Sequence, residues 1–234
     1  KKFSRKKLYG ISHTPIRFWD LRFFNSKKDD FERFSPNYVS FVNKYSSKIY
    51  EKDFVRQKKI KLEALRYNNL DISFNEKSTE KKILIIGDYL ESENIKIKSF
   101  VSKLPLKFKK KLLYLSHPAN QKSLYKDVLN LKSKKELKNF NVRTVIVPHM
   151  STTAIEYLLN KKNVIILLNN NMPNFSPLFM NGNKYDFIFD LEKLKNKLSQ
   201  KQHNFKYDVD LLKPYGANKK LIYWNRLLQN DFKW

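Results

Sequence analysis

Between residues 83 and 199 short apolar runs alternate with segments of helical spacing, and this alternation restricts the chain to few folds. ILIIGDY at 83–89 reads as a buried strand ending in a turn. Ile97, Phe100, Val101 and Leu104 follow at helical spacing, with Ser92 as the expected cap and Pro105 as the stop. KLLYLSHP at 111–118 is a second strand, VRTVIVP at 142–148 a third, NVIILL at 163–168 a fourth and YDFIF at 185–189 a fifth. Ser133 and Glu136 have the spacing of a capping box, STTAIEYLLN at 151–160 reads as a helix, and Asp190 is placed to cap a helix over 191–199. Short, nearly continuous apolar strands joined through helices require a parallel sheet covered on both faces. The expected fold class is therefore α/β, with a Rossmann-like parallel sheet.

Such sheets bind ligands outside the carboxyl ends of their strands. The informative residues should then be Gly87-Asp88-Tyr89, Ser116-His117-Pro118, Pro148 to Thr153, and the loop 169–183. Ser151, Thr152 and Thr153 open a helix directly after a strand, where unpaired N–H groups and added hydroxyls suit a phosphate. The plainer alternative is that one hydroxyl merely caps the helix. His117 at a strand end can donate to phosphate or move a proton, although a lone histidine is more often structural. His149 is either a second ligand contact or a loop-packing residue.

The first 80 residues read differently. YGISHTPIRFWDLRFF at 9–24 is dense in aromatics and arginine, PNYVSFV at 36–42 and IKLEAL at 60–65 read as strands, and 43–52 reads as a helix between them. This is too little for a complete domain and has the look of a partial N-terminal α/β segment. The expected division is 1–67 for that incomplete unit, 68–81 for a polar linker, 82–200 for the ligand-binding unit, and 201–234 for a tail and helix packing back on the body. The chain opens in Lys1-Lys2 without an initiator Met, as expected of a fragment or a processed product. His13, Arg17, Asp20 and Arg22 supply a base, a carboxylate and guanidinium groups within ten residues, or else an ion-paired surface strand. Arg66 is a further candidate anion contact.

Composition narrows the function classes. A net charge of +26 points to an anionic partner. Yet only eight of the 48 basic residues are Arg, and the lysines are dispersed, with Lys107, Lys109, Lys110 and Lys111 the densest cluster. Enrichment in Lys, Asn, Ile, Phe and Tyr is also what AT-rich codons produce. There is no cysteine, hence no disulfide framework. No apolar run reaches the length of a transmembrane helix, and the histidines show no metal spacing. GxxxxGK[ST], GxGxxG after a strand and GxSxG are all absent.

Taken together, GISHTPIRFWDLRFF, KKIKLEALRYNNL, ILIIGDY, YLSHPA and VPHMSTTAIEYLL resemble bacterial surface-carbohydrate biosynthesis proteins of the GT-B glycosyltransferase type. More distantly, the His-Pro and Ser/Thr pair is similar to sialyltransferases and Kdo transferases that use CMP-sugars. The motif order also resembles teichoic-acid glycerophosphotransferases. The resemblance implies the C-terminal half of a GT-B fold and a donor site in which His117-Pro118, Ser151, Thr152 and Thr153 contact the nucleotide and phosphate. Gly87-Asp88 would flank that site. It implies a catalytic role for His13, although Thr14 stands where the teichoic-acid enzymes carry Gly. Arg17, Arg22 and Arg66 become anion or acceptor contacts. The expected function is that of a glycosyltransferase, or its donor-binding portion, using a nucleotide-sugar and a glycan or lipid-linked acceptor. No cofactor or metal is expected. The location would be cytoplasmic, peripheral on the inner face of an anionic membrane. The alternatives are a basic nucleic-acid-binding protein and a non-catalytic, membrane-peripheral member of a polysaccharide assembly complex. No specific nucleic-acid partner is expected.

Overall fold

A computed structural model describes residues 7–11, 36–42, 57–67, 72–120, 125–126, 128–179, 185–200 and 220–231. The chain divides into two compact units, residues 1–70 with 208–234, and residues 71–207.

The unit 71–207 is built on six strands: β4 (Lys81–Ile86), β5 (Leu112–Leu115), β6 (Leu129–Leu131), β7 (Asn141–Pro148), β8 (Asn163–Leu167) and β9 (Asp186–Ile188). Their order is β6-β5-β4-β7-β8-β9, and every neighbouring pair is parallel. Numbered from β4, this is the 3-2-1-4-5-6 order of a Rossmann-type sheet, with its topological switch point between β4 and β7. The fold is thus the α/β, Rossmann-like parallel sheet that the strand pattern predicts.

Both faces of the sheet are covered, as continuous apolar strands require. On one face Ile83, Ile85, Tyr114, Ile146 and Ile165 pack in a single core with residues from three helices. These are α1 (Glu91–Ser102) through Ile97 and Val101, α2 (Leu106–Lys109) through Phe108, and α4 (Leu191–Ser199) through Leu194. Alternation sends Leu84, Leu113, Val145 and Ile166 to the opposite face, where α3 (Thr153–Leu159) buries Ala154, Ile155 and Leu158. Residues 72–80 run along the amino ends of the strands. Asn75 N–H donates to Phe140 O, Asn141 Nδ2 donates to Ser78 O at 2.5 Å, and Lys162 pairs with Glu76 while lying over the Phe74 ring.

Several local expectations change. β6 has no apolar run and was not expected as a strand. Ser92 lies inside the first turn of α1, whose N-cap position is Leu90. Ser133 stands at the N-cap of a 3-10 turn, Lys134–Asn139, without a side-chain bond, and Glu136 reaches back to Lys132 N–H instead. Asp190 does cap α4, accepting Lys193 N–H at 2.7 Å.

The other unit holds a three-stranded parallel sheet, β1 (Tyr9–Gly10), β2 (Tyr38–Phe41) and β3 (Lys58–Lys61), in that order. Tyr9 and Tyr38 are register partners and stack at 4.7 Å. Buried Glu63 accepts the N–H groups of Tyr223 and Trp224, and its carbonyl accepts Trp224 Nε1–H. A carboxylate distant in sequence thereby caps the start of α5 (Ile222–Asp231). Among the described residues, no helix is long and apolar enough to cross a membrane.

Candidate functional site

The carboxyl ends of β5, β4, β7 and β8 lie side by side, and the residues that follow them form one polar crest. Gly87 and Asp88 follow β4, His117 and Pro118 follow β5, His149 to Thr153 follow β7, and Asn169 follows β8. The sequence-predicted residues Gly87, Asp88, His117, Pro118, Ser151, Thr152 and Thr153 are therefore collected on three adjacent strands of one sheet. His13, Arg17 and Arg22 lie outside the described residues. Arg66 is exposed at the 3-10 turn Leu65–Tyr67 of the other unit.

Asp88 sits at the switch point and is almost wholly buried. Its peptide is clamped by Asn94, whose Oδ1 accepts Asp88 N–H and whose Nδ2 donates to Asp88 O, both at 2.8 Å. One carboxylate oxygen accepts Leu90 N–H at 2.9 Å, which turns the chain into α1. Burial, and to a lesser degree the nearby Glu93 carboxylate, pushes the Asp88 carboxyl above its ordinary value of 3.8, against the Leu90 hydrogen bond and the charges of His117 and His149.

Gly87 is required by space. A Cβ there would stand 2.5 Å from the Tyr114 hydroxyl and 3.2 Å from His117 N. That hydroxyl is buried and has no hydrogen-bond partner among the described residues. Burial, with Asp88 adding to it, pushes its ionisation up to about 12.

His117 is half-buried beside Tyr89, their rings 6.1 Å apart. Its Nδ1 accepts Ala119 N–H at 3.1 Å, so the neutral ring carries its proton on Nε2 and presents a donor. His149 is only 1% exposed. Its Nδ1 faces Phe175 N–H at 3.4 Å and its Nε2 faces Glu93 Oε2 at 3.7 Å. Glu93 Oε1 accepts Asn169 Nδ2–H at 2.9 Å. Of the two roles open to His149, this supports the packing one: it ties the loop after β8 to the first turn of α1.

After β7 a turn closes with Ser151 N–H donating to Pro148 O at 3.0 Å. Thr152 occupies the N-cap of α3 in helical conformation and makes no side-chain capping bond. Ser151 Oγ accepts Thr153 N–H at 3.3 Å and is hydrogen-bonded to Thr153 Oγ1. Two hydroxyls sharing one hydrogen bond keep one hydrogen to donate elsewhere. Part of the polarity here therefore serves local capping, and α3, seven residues long, carries only a short dipole.

Sequence reading missed Glu93 and Asn94 and took Asn169 only as the start of the loop 169–183; all three are buried and shape the crest. Glu93 and Asn94 carry no distinct signal beside exposed Glu91 and Ser92 in the same turn of α1, whereas Asn169 is marked by its place after an apolar run. Among the described residues, no group of three or more His, Cys, Asp or Glu side chains is arranged to hold a metal ion.

No protein-family model and no curated protein matches the chain. Among solved structures, a chain of the GtfA/B complex, a GT-B glycosyltransferase, superposes with a TM-score of 0.52 at 9% identity. The match covers 95% of this chain and 52% of that one, so the chain spans about half the length of the structure it matches. At this identity the likeness concerns the fold alone.

Proposed function

We propose that the crest at Gly87, Asp88, His117 and Ser151 to Thr153 binds a nucleotide-sugar, CMP-linked, and that the chain is a glycosyltransferase or the donor-binding portion of one, serving bacterial surface polysaccharide synthesis. One observation carries the reading: these residues meet at the carboxyl ends of three adjacent strands around the switch point of a glycosyltransferase-like α/β fold.

The division of labour follows from charge. In the transfer, the acceptor hydroxyl oxygen bonds to the anomeric carbon as the bond to phosphate breaks, and the nucleotide departs with the bonding pair. Negative charge grows on the phosphate, so fixed donors aimed at it favour the transition state. His117 Nε2–H and the spare hydroxyl hydrogen of the Ser151–Thr153 pair are such donors. Asp88 is unsuited to phosphate, which it would repel. Its carboxylate suits the hydroxyl or amino donors of the nucleoside. His13 would take the acceptor proton, with Arg17, Arg22 and Arg66 balancing anionic groups of the acceptor.

Isothermal titration with CMP and CMP-sugars, with UDP- and GDP-sugars as comparators, tests this. The expected result is CMP-selective binding that weakens by about tenfold or more in His117→Ala and in Ser151→Ala, the loss of one charge-assisted hydrogen bond in each. Binding untouched by both substitutions sinks the site assignment. Preference for another nucleotide sinks the CMP assignment.

A further inference from the structure

We propose that the edge of the six-stranded sheet formed by the amino ends of its strands docks on an anionic lipid bilayer, with Leu106 as the inserted apolar side chain and Lys103, Lys107, Lys110 and Lys111 around it. This goes beyond donor binding and does not rest on it.

Three observations carry the proposal. First, Leu106 is 66% exposed, high for a leucine, and it stands on α2 with exposed lysines before and after it. Second, the surrounding sequence is of one sign. Residues 99–115, from the end of α1 through β5, contain five lysines, no arginine and no acidic residue. Pairing of Ile83 with Leu112 sets the start of β4 beside the residues that lead into β5, which brings exposed Lys81 beside Lys110 and Lys111. Third, acids near this edge are already matched, Glu76 with Lys162 and Glu80 with Lys82. Lys109 is also engaged, donating to Ser102 O at the end of α1.

A basic surface with a protruding aliphatic side chain fits a bilayer, where lysines meet lipid phosphates and the leucine enters the acyl boundary. A nucleic-acid surface would be expected to offer arginine and exposed aromatic faces. At this edge the aromatic Phe108 is buried in the core, and the exposed cations are lysines. The edge also lies at the opposite ends of the strands from the crest, so lipid contact and ligand binding would not compete.

The test is flotation of the full chain with phosphatidylcholine vesicles, with and without about one third phosphatidylglycerol, near 0.1 M salt. Flotation is expected only with the anionic vesicles. Leu106→Ser should weaken partition by about tenfold, and the triple variant Lys107→Gln, Lys110→Gln, Lys111→Gln by at least as much. A control triple with the same charge change, Lys132→Gln, Lys135→Gln, Lys193→Gln, should float nearly as the parent does. Circular dichroism melts confirm that each variant is folded. Absence of flotation, equal loss in both triples, or flotation with neutral vesicles overturns the proposal. So does a chain whose RNA binding, not its flotation, is lost in the first triple.

Discussion

Gly87 and Tyr114 compete for one volume, and the outcome fixes the start of the crest. The Tyr114 hydroxyl fills the space that a side chain at 87 would need, and it does so without a hydrogen-bond partner among the described residues. Gly87→Ala should therefore destabilise by about 1–3 kcal/mol through overpacking. Tyr114→Phe removes a buried, unsatisfied hydroxyl and should be neutral or stabilising. In the double variant the alanine meets no oxygen, so a denaturation cycle should show coupling of about 1 kcal/mol or more. Additive effects would mean that the two residues do not share that space. Asp88 gives a pH-dependent counterpart. Its raised pKa means that the folded state favours the protonated carboxyl, so its contribution to stability is full below 3.8 and is lost as pH rises through the folded-state value. Asp88→Asn keeps the oxygen that accepts Leu90 N–H and removes the charge. The variant should melt higher than the parent at pH 7, and the gap should close as pH falls toward 4. A gap that is constant with pH would show that burial of this charge is not what separates the two proteins.

At the level of elements, capping decides how each strand hands over to its helix. Asp190 and Ser92 look alike in sequence, each a polar residue near the start of a helical pattern. Of the two, only Asp190 accepts a helical N–H, whereas α1 is led in by the Asn94 side chain holding the Asp88 backbone and the Asp88 carboxylate accepting Leu90 N–H. Asp190→Ala should cost about 1 kcal/mol, and Ser92→Ala should be within about 0.5 kcal/mol of neutral, as surface changes usually are. Asn94→Ala strips both bonds from a buried peptide and should cost about 2 kcal/mol or more. Thermal melts of the three variants check the ranking, and a Ser92 effect equal to that of Asp190 would contradict it. These elements also show where sequence reading stops. β4, β5, β7 and β8 were legible because burial on both faces makes them continuous apolar runs. β6 was not: it is an edge strand of three residues whose central Asn130 bonds to Tyr125 O and Val128 O, so neither alternation nor a run marks it. The crest was legible as strand ends, since Gly87-Asp88, His117 and Ser151 to Thr153 each follow an apolar run. What stayed hidden was which polar groups face inward, because Glu93 and Asn94 differ from the exposed Glu91 and Ser92 only in helical phase.

Across the whole molecule, the two units differ in how they close on themselves. Residues 71–207 are one continuous stretch holding a six-stranded sheet with helices on both faces and its own core. The other unit is assembled from two distant stretches, joined where Glu63 caps α5. A continuous stretch that buries both faces of its sheet has what autonomous folding requires, and its length is that of an ordinary domain. Residues 71–207 expressed alone should therefore unfold in a single cooperative transition. Its slowest-exchanging amides should lie in β4, β5, β7 and β8, the interior strands of the sheet. In the full chain, Glu63→Ala leaves the N–H groups at the start of α5 without their acceptor. It should speed amide exchange in α5 and β3 while leaving the rates in β4, β7 and β8 unchanged. Equal acceleration in both sets of strands would show that the units unfold together, and a non-cooperative melt of 71–207 would show that its core needs the rest of the chain.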